Sequence, residues 1–149
     1  MLEKTFILIK PKYVGLANEI LEQLDIYGKR IITAKIDAVP KNIIEDHYSP
    51  HKGKSFFKYM TESFAGKSVV IAIYEGKGII QKISDFIGPT DPSKASKNTI
   101  RGKYSNDSLE TAIAKQRPVE NVIHRSDSIA EAKREISVWK QYLNGPAQI

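Results

Sequence analysis

The chain contains no cysteine in its 149 residues, which excludes disulfides, thiolate metal sites and cysteine nucleophiles together and favours an intracellular setting. No apolar run approaches the ~18 residues of a membrane span, and the stretch from Met1 to Pro11 is too short for a secretory leader. Neither common phosphate cradle is present. There is no Gly-x-x-x-x-Gly-Lys-Ser/Thr, and Gly76-Lys77-Gly78 lacks the third glycine of a dinucleotide loop, so any nucleotide must be held by side chains. Internal repeats, low-complexity tracts and linkers are also missing. A soluble, cytoplasmic, single domain over residues 1–149 with no membrane partner is the expectation.

What is present suffices for one core: 41% of the residues are hydrophobic and 27% charged, a balance unlike that of a disordered tail. The net charge is +6, and the excess is local. From Lys94 to Arg125 stand the bases Lys94, Lys97, Arg101, Lys103, Lys115, Arg117 and Arg125 against only Asp107, Glu110 and Glu120. That bias fits an anionic ligand, a small polyphosphate as well as a nucleic-acid backbone, and equally a solvated lysine-rich loop.

The patterning predicts strands at Thr5 to Lys10, closed by Pro11, at Arg30 to Val39, at Ser68 to Tyr74, and briefly at Val122-Ile123. In the second of these Ile32, Ala34, Ile36 and Ala38 share one face. Helical spacing joins Leu16, Ile20, Leu21 and Leu24, with Gly28 as the stop, and recurs over Lys41 to His47, Lys54 to Phe64 and Gly78 to Ile87. Ser128-Ile129-Ala130-Glu131 reads as a capping box opening a last helix whose core face is Ile129, Ala132, Ile136 and Trp139. Thr90 to Val119 lacks sustained periodicity outside Ser108 to Lys115 and is the expected functional loop region. The tail from Asn144 to Ile149 is expected to be loose. This order fits an α+β, ferredoxin-like four-stranded antiparallel sheet with helices packed on its face.

His47 and His51 stand four apart, but Pro50 breaks the helix that would present both, so no metal site is expected there. Arg101-Gly102-Lys103-Tyr104 starts like an RNA-recognition signature and lacks the aromatic alternation that should follow, which leaves nucleic acid a minor alternative. His124 lies in Asn121-Val122-Ile123-His124-Arg125-Ser126-Asp127-Ser128, between a short strand and a capped helix. Taken alone, a histidine at a strand end is more often structural than catalytic. Its chemistry is still apt: neutral imidazole offers a lone pair near physiological pH, and a hydrogen bond at the second ring nitrogen selects the tautomer.

Asn-x-x-His-x-Ser-Asp, with Lys10-Pro11 and Thr99-Ile100-Arg101-Gly102, resembles the nucleoside diphosphate kinases. Further matches run along nearly the whole chain: His47-Tyr48, Phe56-Phe57, Tyr74-Glu75-Gly76, Gly88-Pro89-Thr90-Asp91-Pro92, and Glu135-Ile136 with Trp139. The resemblance implies a ping-pong kinase that moves the γ-phosphate of a nucleoside triphosphate, typically ATP, to a nucleoside diphosphate through a phosphohistidine on His124. It implies Glu135 and Ser126 as orienting partners of that histidine. Lys10, Arg101 and Thr90 would meet the phosphates, Tyr48 would bring a hydroxyl to the transferring group, and Asn121 would bind the sugar. Phe56 would stack on the base with Met60 beside it. Mg2+ would arrive on the nucleotide phosphates, with no protein metal ligand. A homo-oligomer is implied, a hexamer first.

The chain also departs from the family pattern. Lys12 stands where an Asp usually follows Lys-Pro, in a shortened turn. Lys103 to Pro118 forms an extra loop, and the sequence ends soon after Trp139, which makes a dimer or tetramer the alternative to a hexamer. Ser84 falls where most members place a phosphate-binding Arg, while Arg125 replaces the small residue that normally follows the catalytic His. Arg125 either blocks the site, lies solvated, or supplies the missing charge, and the last is the working expectation. A catalytically weakened nucleotide-binding module of the same fold is the alternative reading.

Overall fold

Strand β1 (Leu2–Ile9) runs through the middle of the molecule because its second half, Phe6-Ile7-Leu8-Ile9, is apolar on both faces. Alternation sends Ile7 and Ile9 into one hydrophobic cluster and Phe6 and Leu8 into another. Such side chains, all fully buried, contribute about 1.5–3 kcal/mol each. The computed structural model describes residues 1–143, so the tail from Asn144 lies outside the described residues.

Helix α1 (Ala17–Leu24) follows β1 after a 3-10 turn at Pro11–Leu16, and its Ile20, Leu21 and Leu24 enter the first cluster. Leu16, expected on the helix, belongs to the turn and is 38% exposed. Next come β2 (Lys29–Ile36), α2 (Lys41–His47), α3 (Phe57–Phe64), β3 (Val69–Lys77) and α4 (Ile79–Ile87). Then follow α5 (Ile100–Tyr104), α6 (Leu109–Ala114), β4 (Ile123–Arg125), α7 (Ile129–Val138) and α8 (Lys140–Leu143). The strands pair antiparallel in the order β2-β3-β1-β4, the expected α+β arrangement. Helices cover both faces rather than one: α1 and α4 pack on the Ile7 side, while α2, α3, α7 and α8 pack on the Phe6 side. No helix among the described residues is long and apolar enough to cross a membrane.

Other expectations shift locally. β2 stops at Ile36, so Ala38 is exposed, and a bulge between Arg30 and Ile32 breaks the simple alternation. Helix α5 was not legible, because five residues give too little periodicity; Thr99 caps it by accepting from Gly102 N. Ser128 caps α7 by accepting from Glu131 N at 3.1 Å, but the Glu131 carboxylate pairs with Arg134 instead of returning to the cap. Ile129 is exposed and Glu135 is buried in its stead on the inner face of α7.

Candidate active site

The site starts from one strained turn. Val122, β-branched and fully buried, has φ 76, and Ile123 N donates to Asn121 O at 2.8 Å across it, a γ-turn of the rarer, strained kind that costs about 1–3 kcal/mol. This is why β4 begins at Ile123 rather than Val122. Arg101, from the buried side of α5, holds the turn: its guanidinium donates to Asn121 O at 3.1 Å, Ile123 O at 2.7 Å and Gly88 O at 2.9 Å. Gly88 takes φ 94 at the end of α4, and a Cβ there would come within 2.8 Å of Thr99 Oγ1, so the position requires glycine.

His124 pairs with Leu8 in the β4–β1 ladder and so faces α2 and α7. Its Nε2 lies 2.8 Å from Glu135 Oε2. Glu135 is only 2% exposed, and its other oxygen accepts from Ser126 Oγ at 2.7 Å. Ser126 itself accepts from Phe6 N at 2.9 Å, so the carboxylate is tied to the central strand. With Nε2–H donating to Glu135, the lone pair resides on Nδ1, which has no protein partner among the described residues. Burial, with Lys10 and Arg101 adding to it, pushes the imidazole well below the ordinary histidine pKa, so the ring is neutral at physiological pH. The Ser126→Ala variant is expected to lose about 1–3 kcal/mol of stability, because it strands the buried Phe6 N–H and removes a donor from Glu135; denaturant titration checks this.

His124 opens onto a cavity of about 410 Å³. Lys10, Tyr48, Phe56, Met60, Thr90, Arg101, Asn121, Arg125 and Glu135 all line it, so every residue given a catalytic or nucleotide-binding role from the sequence meets there except Ser126, which stands behind Glu135, while Ser84 and Lys12 lie outside it. Lys10 Nζ donates to Asn121 Oδ1 at 2.5 Å, and Asn121 Nδ2 donates to Thr90 O at 3.0 Å, so the asparagine is a strut between two cavity walls. The Tyr48 hydroxyl has no protein partner among the described residues, and its ring stands 6.1 Å from that of His124. Phe57 packs on the core, whereas its neighbour Phe56 belongs to neither core cluster and lines the cavity, which argues against ordinary core packing for it.

The three arginines of the local cation excess are all engaged. Arg101 holds carbonyls, Arg117 makes a two-pronged pair with Asp107 at 2.6 and 2.9 Å, and Arg125 pairs with Asp127. The pair with Arg117 holds the Asp107 carboxyl well below its usual range. It also fastens the extra loop, whose α6 residues Leu109 and Ala112 add apolar wall to the cavity. Lys12 pairs with Glu120 at 2.5 Å, tying the shortened turn to the lead-in of β4.

Two residues of the site are assigned no role from the sequence, His47 entering through the His47-Tyr48 match and the discounted pairing with His51, and Arg134 not at all. His47, buried in the core, sets its ring 4.5 Å from that of His124, edge to face, and accepts from Trp139 Nε1 at 3.0 Å through Nδ1. Arg134 bridges the end of α2 to α7 by donating to Asp46 O and His47 O at 2.9 and 2.8 Å. Both act through non-local contacts, which spacing does not show. His47, His124 and Glu135 bring three ligand atoms within 4.8 Å of one another. That set does not fit Mg2+, which prefers oxygens, and donation by Trp139 to Nδ1 places the His47 proton on Nε2, where a metal would have to bind.

Comparison with known proteins shows the family of the chain and bears out the fold. The family model described as nucleoside diphosphate kinase matches residues 3–142. A nucleoside diphosphate kinase of Saccharolobus islandicus is 39% identical over 141 residues, covering 93% of this chain and 95% of the relative. Among solved structures, a nucleoside-diphosphate kinase from Borrelia burgdorferi with bound vanadate and ADP superposes with a TM-score of 0.88 at 25% identity, covering 97% of this chain and 92% of that one. A halophilic nucleoside diphosphate kinase from Halobacterium salinarum in complex with CDP gives 0.80 at 28% identity, covering 97% and 92%.

Proposed function

The chain belongs to the nucleoside diphosphate kinase family, and from that premise we propose that His124 is the residue that carries the phosphoryl group between nucleotides. The enzyme is a phosphotransferase acting on nucleoside triphosphates and diphosphates. The observation that carries the assignment of His124 is the chain Phe6 N–Ser126–Glu135–His124, which leaves a neutral Nδ1 lone pair open to the cavity. Nδ1 attacks the γ-phosphorus and forms an N–P bond while the bond from that phosphorus to the bridging oxygen of the diphosphate breaks. The diphosphate product leaves with the electron pair, and a terminal oxygen of a second nucleoside diphosphate then takes the group back off nitrogen. Glu135 stays hydrogen-bonded to Nε2–H and balances the positive charge that grows on the ring.

The transfer is mostly positioning and charge neutralisation, which falls to Lys10, the Tyr48 hydroxyl, Thr90 and the remaining donors of Arg101. Phe56 and Met60 receive the base through its π face, and Asn121 reaches the sugar while bracing Lys10. Nucleotide phosphoryl transfer of this kind generally uses a divalent metal. Mg2+ would arrive on the nucleotide phosphates and neutralise part of their charge there, and no residue here is assigned as its ligand. The enzyme works in the cytoplasm as a homo-oligomer, a hexamer or else a dimer or tetramer; the exposed Ile31 on the edge strand β2 is apolar surface that a subunit contact would cover.

Initial rates with ATP and GDP varied together test the reading. Parallel double-reciprocal lines are expected of a covalent intermediate, and intersecting lines would exclude it. Lys10 adds a proton count to the same chemistry. Burial, with Arg101 adding to it, lowers its pKa to about 7, so at about pH 8 the amine is mostly neutral, and a bound polyphosphate restores its charge. Binding of ADP at about pH 8 should therefore take up a proton, seen by calorimetry in buffers of different ionisation enthalpy, and Lys10→Met should abolish the uptake.

A further inference from the structure

Arg125 follows the nucleophile directly, yet it pairs with Ile7 in the sheet, on the face that α4 covers, opposite to the face of His124. It nevertheless lines the same cavity as His124, and its side chain is 18% exposed. Two features mark its position as provisional. The guanidinium is held by one carboxylate, Asp127, whose side chain is 74% exposed, and an ion pair with so open a partner contributes little. The Nε–H is buried and has no partner among the described residues, a donor that the pairing with Asp127 leaves unsatisfied.

The neighbourhood adds a reason to move. Burial first and the charge of Arg125 second lower the pKa of the Arg101 guanidinium, and both guanidiniums line one cavity with Lys10. Arg101 cannot give way, since three backbone carbonyls fix it. A phosphate offers what Asp127 does not: two charges, and several oxygens that match the planar fork, the Nε–H included.

We propose that Arg125 is an exchangeable phosphate clamp: Asp127 holds its guanidinium aside until a phosphate of the nucleotide takes the place of the carboxylate. The inference rests on the kinase reading of the cavity and goes beyond it by giving this chain its own phosphate cation, delivered from the α4 side of the sheet, with Asp127 as its competitor. Ser84, on α4, lies on that same side.

A double-mutant cycle on ADP affinity tests it, beside phosphoryl labelling of the wild type by ATP. Arg125→Ala is expected to weaken ADP binding about tenfold to a hundredfold. Arg125→Lys, which keeps the charge and loses the fork, should weaken it by a smaller factor and covers the case in which the alanine variant fails to fold. Asp127→Asn should tighten ADP binding about two- to fivefold, and only while Arg125 is present. Unchanged affinity in both Arg125 variants would overturn the clamp, as would an Asp127→Asn that weakens binding with and without Arg125, since Asp127 would then serve the ligand itself. A wild type that binds ADP but takes no label would instead sink the kinase reading, so the two failures are told apart.

Discussion

Replacement of His124 by alanine is expected to cut phosphoryl transfer on the order of 10⁵-fold or more while leaving ADP bound in the cavity. The loss is large because no other group can take over. Among the described residues, His47 is the other ring nearest the site, but its Nδ1 is occupied by Trp139 and its Nε2 carries the proton, so it has no lone pair to offer. Tyr48 has a free hydroxyl, but burial raises its pKa far above the physiological range and keeps it protonated. The cations that line the cavity, Lys10, Arg101 and Arg125, remain in the variant, and on the proposed reading they still hold the phosphates, which is why affinity and rate should separate. Single-turnover transfer and calorimetric ADP binding measure the two quantities independently.

Glu135→Gln should give the second-largest effect, a loss of about 10²- to 10⁴-fold in kcat with little change in ADP affinity. Ser126 donates to Oε1, so the amide oxygen of the glutamine would turn to Ser126 and its NH2 would face His124 Nε2. A donor facing Nε2 draws the ring into the opposite tautomer, with the proton on Nδ1, and the lone pair then points at the wrong neighbour. The fold should survive, because the substitution is isosteric and burial already raises the Glu135 pKa by disfavouring its charge. Nitrogen NMR of the His124 ring reads the tautomer directly, and kcat should fall in parallel with it.

Much of the fold was legible because hydrophobic spacing is local. The continuous run Phe6 to Ile9 marked a buried strand, and the spacing of Ile20, Leu21 and Leu24 marked a helix. Departures came where tertiary contacts overrode the local pattern. Ile129 sits at the right spacing for the core of α7, yet the inner face there receives Glu135, because His124 and Ser126 give a buried carboxylate the partners it needs. The kink at Val122 has no sequence signal at all, since a β-branched residue is among the last expected at positive φ. The candidate site residues were legible by resemblance, and as residue types suited to anion binding. The work that three of them do inside the protein was not: Arg101 staples three carbonyls, Asn121 braces Lys10, and Arg125 pairs with Asp127. Such roles depend on which backbone oxygens and carboxylates converge, and spacing along the chain does not record that.

The most direct test of His124 as the carrier is to treat the protein with Mg2+ and γ-labelled ATP, isolate it, and locate the phosphate by phosphorus NMR and mass spectrometry before adding GDP. The expected result is an acid-labile, alkali-stable phosphate on Nδ1 of His124 that passes to GDP as GTP. Phosphate on Nε2 or on another residue, or transfer to GDP from a protein that never carries label, would contradict it.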